Sequence, residues 1–233
     1  MKQRSRYLLF LYGLVIFGMI LGIFYGNRVV TVVSQGLPTE REHCIIIDPG
    51  HGGEDGGATS CTGRLESGYN LEISLRLRDL MHLLGYRTKM IRTTDSAVYT
   101  KGDTLSQKKI SDLKERVRMC SEEENPILLS IHQNNFSDSR YSGAQVFYPK
   151  TEGSVQLAKL LQSAFKATLN PDSHRDVKKA EGIYLMDHIQ CTGVLIECGF
   201  LSNPEEEAKL RDPEYQKQLC CVIGATVANF LDG

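Results

Sequence analysis

Two histidines and two glutamates stand in this sequence where side chains do chemistry. His51 follows the branched apolar run Ile45-Ile-Ile47 and the abrupt stop Asp48-Pro49-Gly50, with glycines at 52, 53, 56 and 57 behind it. His132 ends a second apolar run, Ile127-Leu-Leu-Ser-Ile131, and Glu197 ends a third, Val194-Leu-Ile196. Glu66 lies close behind the His51 turn, just ahead of a stretch with helical apolar spacing. Two imidazoles and one carboxylate with a position left open for water form a known catalytic zinc arrangement. A second carboxylate outside the metal's shell then works as general base and proton donor. That division uses all four residues, with His51, Glu66 and His132 as ligands and Glu197 as the base.

Each residue also has an ordinary reading, and spacing alone leaves both open. A strand-end histidine can simply be hydrogen-bonded. Glu66 suits the first turn of a helix, where the dipole favours a carboxylate. An ionised Glu197 at the end of an apolar strand is costly unless paired, and Arg92 or Arg175 would serve as its cation. His43, His82, His174 and His188 take the ordinary reading. Local motifs for other chemistry are absent: there is no HExxH, no GxGxxG, and no Lys-Ser/Thr after the glycines.

The elements that must position these residues alternate between strand and helix, the mark of an α/β domain with a mostly parallel, mixed sheet flanked by helices. Apolar runs predict strands at 45–47, 86–91, 127–131, 143–148 and 194–197, with a short extended piece at 182–185 and Cys198-Gly-Phe200 turning away. Helices are predicted over 68–84, ended by Gly85, and over 110–120, 154–168 and 215–231, with another started by Pro204. Strand ends in such sheets gather at one rim, so residues far apart in sequence can meet there.

Outside this domain, Lys2, Arg4 and Arg6 precede an uncharged run from Tyr7 to Tyr25. At about 19 residues it is long enough for a transmembrane helix, and the basic flank predicts a cytoplasmic N-terminus. No Ala-x-Ala-like site closes the run, which favours an uncleaved anchor over a signal peptide. The organisation expected is an anchor at 1–26, a linker at 27–42 around Gln35-Gly-Leu-Pro38, and a catalytic domain at 43–233 on the extracytoplasmic side. A formal net charge of −1 gives no reason to expect a nucleic-acid partner. Seven cysteines, none in a CxxC pair, argue against a full disulfide framework. Cys44, Cys120, Cys220 and Cys221 read as small core residues.

Four separated blocks together resemble the zinc-dependent N-acetylmuramoyl-L-alanine amidases of the amidase-3 family. They are Ile46-Ile-Asp-Pro-Gly-His-Gly-Gly-x-Asp-x-Gly-Ala58, Glu66 with Asn70 and Leu71, Ser130-Ile-His132 with Asn134, and Glu197-x-Gly-Phe-Leu-Ser-Asn-Pro204. The resemblance implies zinc on His51, Glu66 and His132, Glu197 as catalytic residue, and cleavage of the bond between N-acetylmuramic acid and L-alanine in peptidoglycan. Asn134, Arg92 and Arg175 are candidate substrate contacts. Within the family the chain is similar to the germination-specific type of endospore formers, given its short N-terminal anchor and lack of wall-binding repeats. That likeness implies work on spore-cortex muramic-δ-lactam, in the intermembrane space of the developing spore. Gln133 and Asn135 depart from the small residues common around the second histidine, and Cys198 fills a usually apolar place. Another peptidoglycan-directed zinc peptidase, an inactive binding module, and an enzyme needing a protein activator are the competing readings.

Overall fold

The computed structural model describes residues 42–232, so the expected anchor and linker lie outside the described residues, but for Glu42. Among the described residues no helix is long and apolar enough to cross a membrane. The centre is β1 (Cys44–Pro49), buried along its whole length, as its Ile45-Ile-Ile47 core demands of a strand covered on both faces. It belongs to a six-stranded sheet of order β2-β1-β3-β6-β4-β5. β2 is Arg87–Met90, β3 Pro126–Asn134, β4 Gln145–Tyr148, β5 Lys178–Lys179 and β6 Thr192–Phe200. Neighbours run parallel except β4 against β6, giving the mixed, mostly parallel sheet expected from the alternating pattern.

The helices divide between the two faces. On one, α1 (Glu66–Leu83), α3 (Ser154–Thr168) and α6 (Pro213–Asp232) bury Tyr69, Leu77, Leu161, Phe165 and Ile223 against Ile45, Leu129 and Ile196. On the other, α2 (Leu105–Ser121) and the short α4 (Tyr184–His188) cover Ile46, Leu128 and Leu195 with Cys120, Leu185 and Met186. Because side chains alternate along a strand, Asp48, Ser130, His132 and Glu197 share the register of this second face. α5 (Pro204–Arg211) has proline in its first turn and Asn203 accepting from the Glu205 and Glu206 amides.

Several boundaries differ from the sequence pattern, each for a local reason. α2 begins at Leu105 because Thr104 and Gln107 cap it reciprocally, which adds a turn whose one apolar residue, Leu105, is exposed. β6 runs on to Phe200 instead of turning at Cys198, after a bulge that realigns Asn134 with Phe200. Residues 182–185, expected extended, form a turn that enters α4. Cys44, Cys120 and Cys220 are buried as expected, but Cys221 is exposed on α6, and all seven cysteines are free.

Candidate active site

The strands β1, β3 and β6 are neighbours, and their carboxyl ends bring His51, His132 and Glu197 to one rim. His132 and Glu197 are paired in register. Glu66, the first residue of α1, reaches into the same place from the other face. His51 Nε2 lies 3.2 Å from Glu66 Oε2, and His132 Nδ1 lies 3.0 Å from Glu66 Oε1. The imidazoles meet edge to face with their centroids 5.0 Å apart. One donor atom from each of these three residues falls within 4.8 Å of the others.

Glycines make this approach possible at two points. A Cβ at Gly50 would stand 2.2 Å from the His132 ring, so only glycine lets that ring cross the end of β1. Gly57 has φ +69, and a Cβ there would lie 2.6 Å from Glu66 Oε2 and 2.7 Å from His51 Cδ2.

His51 itself adopts φ 62, a left-handed conformation uncommon outside glycine. Two buried arginines hold it there. Arg92 donates to the carbonyls of Pro49 (2.9 Å), Gly50 (2.9 Å), Ser67 (2.9 Å) and Thr94 (3.0 Å). Arg116 donates to the Pro49 carbonyl at 3.0 Å and the His51 carbonyl at 2.8 Å. It also pairs with Asp48 and with Asp112, which places a salt-bridged cation directly beneath the loop. Arg116 outweighs the cost of burial at Asp48, with help from the Ser130 hydroxyl, and keeps that carboxyl below its usual range.

The two glutamates sit in opposite surroundings. Glu66 is 4% exposed and saturated: Asn70 Nδ2 and the Gln133 amide donate to Oε1, and the Ala58 amide to Oε2, alongside the imidazoles. Burial alone would raise its pKa, but His132 and His51 outweigh that and hold it far below the ordinary carboxylate range. The His51 imidazole is raised in turn, since Glu66 and then Asp55 overcome its own burial. Asp55 Oδ2 lies 3.1 Å from His51 Nδ1, the nitrogen pointing away from Glu66. Glu197 has no such company. Its Oε2 is shielded from solvent without a hydrogen-bond partner, and burial pushes its pKa up to about 7. The imidazole charges, His132 foremost, lower it and Glu66 raises it. The pairing with Arg92 or Arg175 that an ordinary reading required is not made.

Of the candidate substrate contacts, Arg92 is placed otherwise. It is 3% exposed and engaged with backbone carbonyls, so it braces the His51 loop instead of facing a ligand. Arg175 donates to the Ser142 carbonyl and to Gln145 Oε1, and its guanidinium lies 4.4 Å from the Phe200 ring centroid. Gln145 is the register partner of Glu197, which puts Arg175 at the border of the site. Asn134 stands half-buried at the end of β3. Asp55, Asn70 and Arg116 were not singled out for these roles from sequence. Arg116 did leave a signal, a charged residue beside the apolar stripe of Leu113, Val117 and Cys120.

The donor set can hold a divalent cation: two imidazole nitrogens, one carboxylate oxygen, and a carboxylate partner orienting one imidazole from behind. The family model for N-acetylmuramoyl-L-alanine amidases (Amidase_3) matches residues 45–229. The chain belongs to this amidase family. It is an enzyme of the N-acetylmuramoyl-L-alanine amidase class, with peptidoglycan as the substrate implied by the family. The amidase is 34% identical over 226 residues to the germination-specific N-acetylmuramoyl-L-alanine amidase of Bacillus subtilis, covering 96% of this chain and 93% of that protein. The CwlD amidase of Clostridioides difficile, solved in complex with the GerS lipoprotein, superposes with a TM-score of 0.78 at 36% identity, over 82% of this chain and 99% of that one. An N-acetylmuramoyl-L-alanine amidase from Clostridium difficile 630 gives a TM-score of 0.71 at 28% identity, over 84% and 99%.

Proposed function

We propose that this amidase uses zinc to hydrolyse the bond between N-acetylmuramic acid and L-alanine, as a step toward muramic-δ-lactam in spore cortex. His51, Glu66 and His132 would hold the ion. Bound there, zinc supplies Lewis acidity, acidifying water and polarising an amide carbonyl. The unpartnered Oε2 of Glu197 is the observation that carries the mechanism. A carboxylate poised at about 7 is available both to accept a proton from attacking water and to return one to the leaving alanine nitrogen. Asp55 fixes the orientation of the His51 ring, and Asn70 and the Gln133 amide fix that of Glu66. Glu66, already fully engaged and held ionised, is unsuited to carry protons.

Two further parts of the reading rest on other observations. The uncharged run Tyr7–Tyr25 supports anchoring in a membrane, with the catalytic domain on the extracytoplasmic face and, in a spore former, in the intermembrane space of the developing spore. The lipoprotein in the Clostridioides difficile complex supports a protein partner for this chain as well. The test is digestion of cortex muropeptides by the zinc-loaded full chain. Released peptides should carry a free L-alanine N-terminus, and Glu197→Gln should slow release by about 10²–10⁴-fold. Fragments cut elsewhere in the stem peptide would overturn the assignment.

A further inference from the structure

A cavity of about 260 Å³ opens beside His51 and His132, on the face of the sheet covered by α2 and α4. Tyr99, Leu105, Leu113, Ile183, Leu185 and Leu195 give much of its wall an aliphatic and aromatic surface, and charged side chains line most of the remainder. The polar groups deepest in it are occupied with one another: Arg116 pairs with Asp48, and the Ser130 hydroxyl donates to Asp48 at 2.7 Å. Against that aliphatic stretch a sugar ring's hydroxyls would lack partners, and burying them unpaired is costly. An apolar side chain on an extended peptide suits such walls. Cations also line the cavity, Lys108 and Lys109 from α2. Lys109 lies 3.3 Å from Asp55, which is committed to His51. Lys108 instead grips the half-exposed Glu54, with Nζ 2.9 and 3.0 Å from its two oxygens. That is a carboxylate-binding geometry filled by a side chain from a surface loop.

We infer that this cavity is the subsite for the peptide on the amine side of the scissile bond, with Lys108 exchanging Glu54 for the carboxylate of the acidic residue after alanine. The inference rests on the amidase reading for the identity of that peptide. Its carboxylate is the free α-carboxyl of a γ-linked D-glutamate, the ordinary second residue of peptidoglycan stems. Glu54 then acts as an internal competitor, which gives the two members of one ion pair opposite effects on binding. A merely structural pair would move both variants in the same direction.

The experiment compares N-acetylmuramoyl-L-Ala-D-Glu with its α-amide, N-acetylmuramoyl-L-Ala-D-isoglutamine, using the full chain with zinc. The acid should be preferred through KM. Lys108→Gln should erase about tenfold of that preference, and Glu54→Gln should increase it. Calorimetric titration with the dipeptide L-Ala-D-Glu and its α-amide L-Ala-D-isoglutamine, on the same proteins, reads the subsite without turnover. There Lys108→Gln should weaken and Glu54→Gln tighten binding of the acid alone. Equal affinity for acid and amide, or both variants shifting in one direction, would overturn the subsite. Failure to cleave either substrate while the dipeptide binds as expected would count against the amidase reading and not against the cavity.

Discussion

Glu66 and Glu197 are the same residue type at the same rim of one sheet, and their surroundings could hardly differ more. Glu66 starts a helix, accepts from two backbone amides and Asn70, and lies between two imidazoles that hold it ionised. Glu197 ends an apolar strand, where one oxygen is buried without a partner and the pKa rises to about 7. Saturation makes a fixed anion, suited to hold a cation. Deprivation makes a carboxyl that changes protonation near neutrality, suited to move protons. Identical chemistry is split into two roles by what each strand end and helix start leaves within reach.

Changing either residue should expose that contrast in stability. Glu66→Ala strands two amides, Asn70 and both imidazoles around a hole, and should destabilise the metal-free protein by roughly 3–5 kcal/mol in urea unfolding. Glu197→Gln should do the reverse. A carboxyl raised from 4.5 to about 7 binds its proton more tightly folded than unfolded, so its cost grows as pH climbs through that window. Metal-free Glu197→Gln should therefore gain up to about 3 kcal/mol over the wild type at pH 8 and almost nothing at pH 4. Equal pH profiles for the two proteins would remove the deprived half of the contrast.

A smaller effect sharpens the saturated half. Arg116→Lys keeps the charge beside Asp48 but cannot reach both the Pro49 and His51 carbonyls in a planar fork. A loss of about 1–2 kcal/mol in thermal or urea unfolding, with weaker zinc retention against a chelator, is expected. Zinc retention like the wild type's would mean that His51 needs no brace.

The parts of this arrangement that sequence displays are those written in runs. Ile45–Ile47, Ile127–Ile131 and Val194–Ile196 announce buried parallel strands, and strand ends in such sheets converge, so His51, His132 and Glu197 were legible as neighbours. Glu66 was legible from its place at the start of an amphipathic stretch. What stayed hidden depends on partners distant in the chain and on backbone groups, which carry no letter of their own. Arg92 reads as a free cation, yet its partners are carbonyls at 49, 50, 67 and 94. Asp48 reads as a strand stop, yet it is the anion under the His51 loop. β5 is only Lys178–Lys179, too short for any periodicity, and α4 at Tyr184–His188 is likewise below the length at which helical spacing shows.

Zinc stoichiometry, measured side by side on the full-chain wild type, Glu197→Gln and Glu66→Gln, goes most directly to the division of labour between the glutamates. One ion per chain in the wild type and in Glu197→Gln, with little or none in Glu66→Gln, is the predicted pattern. Zinc lost from Glu197→Gln, or kept in full by Glu66→Gln, would contradict it.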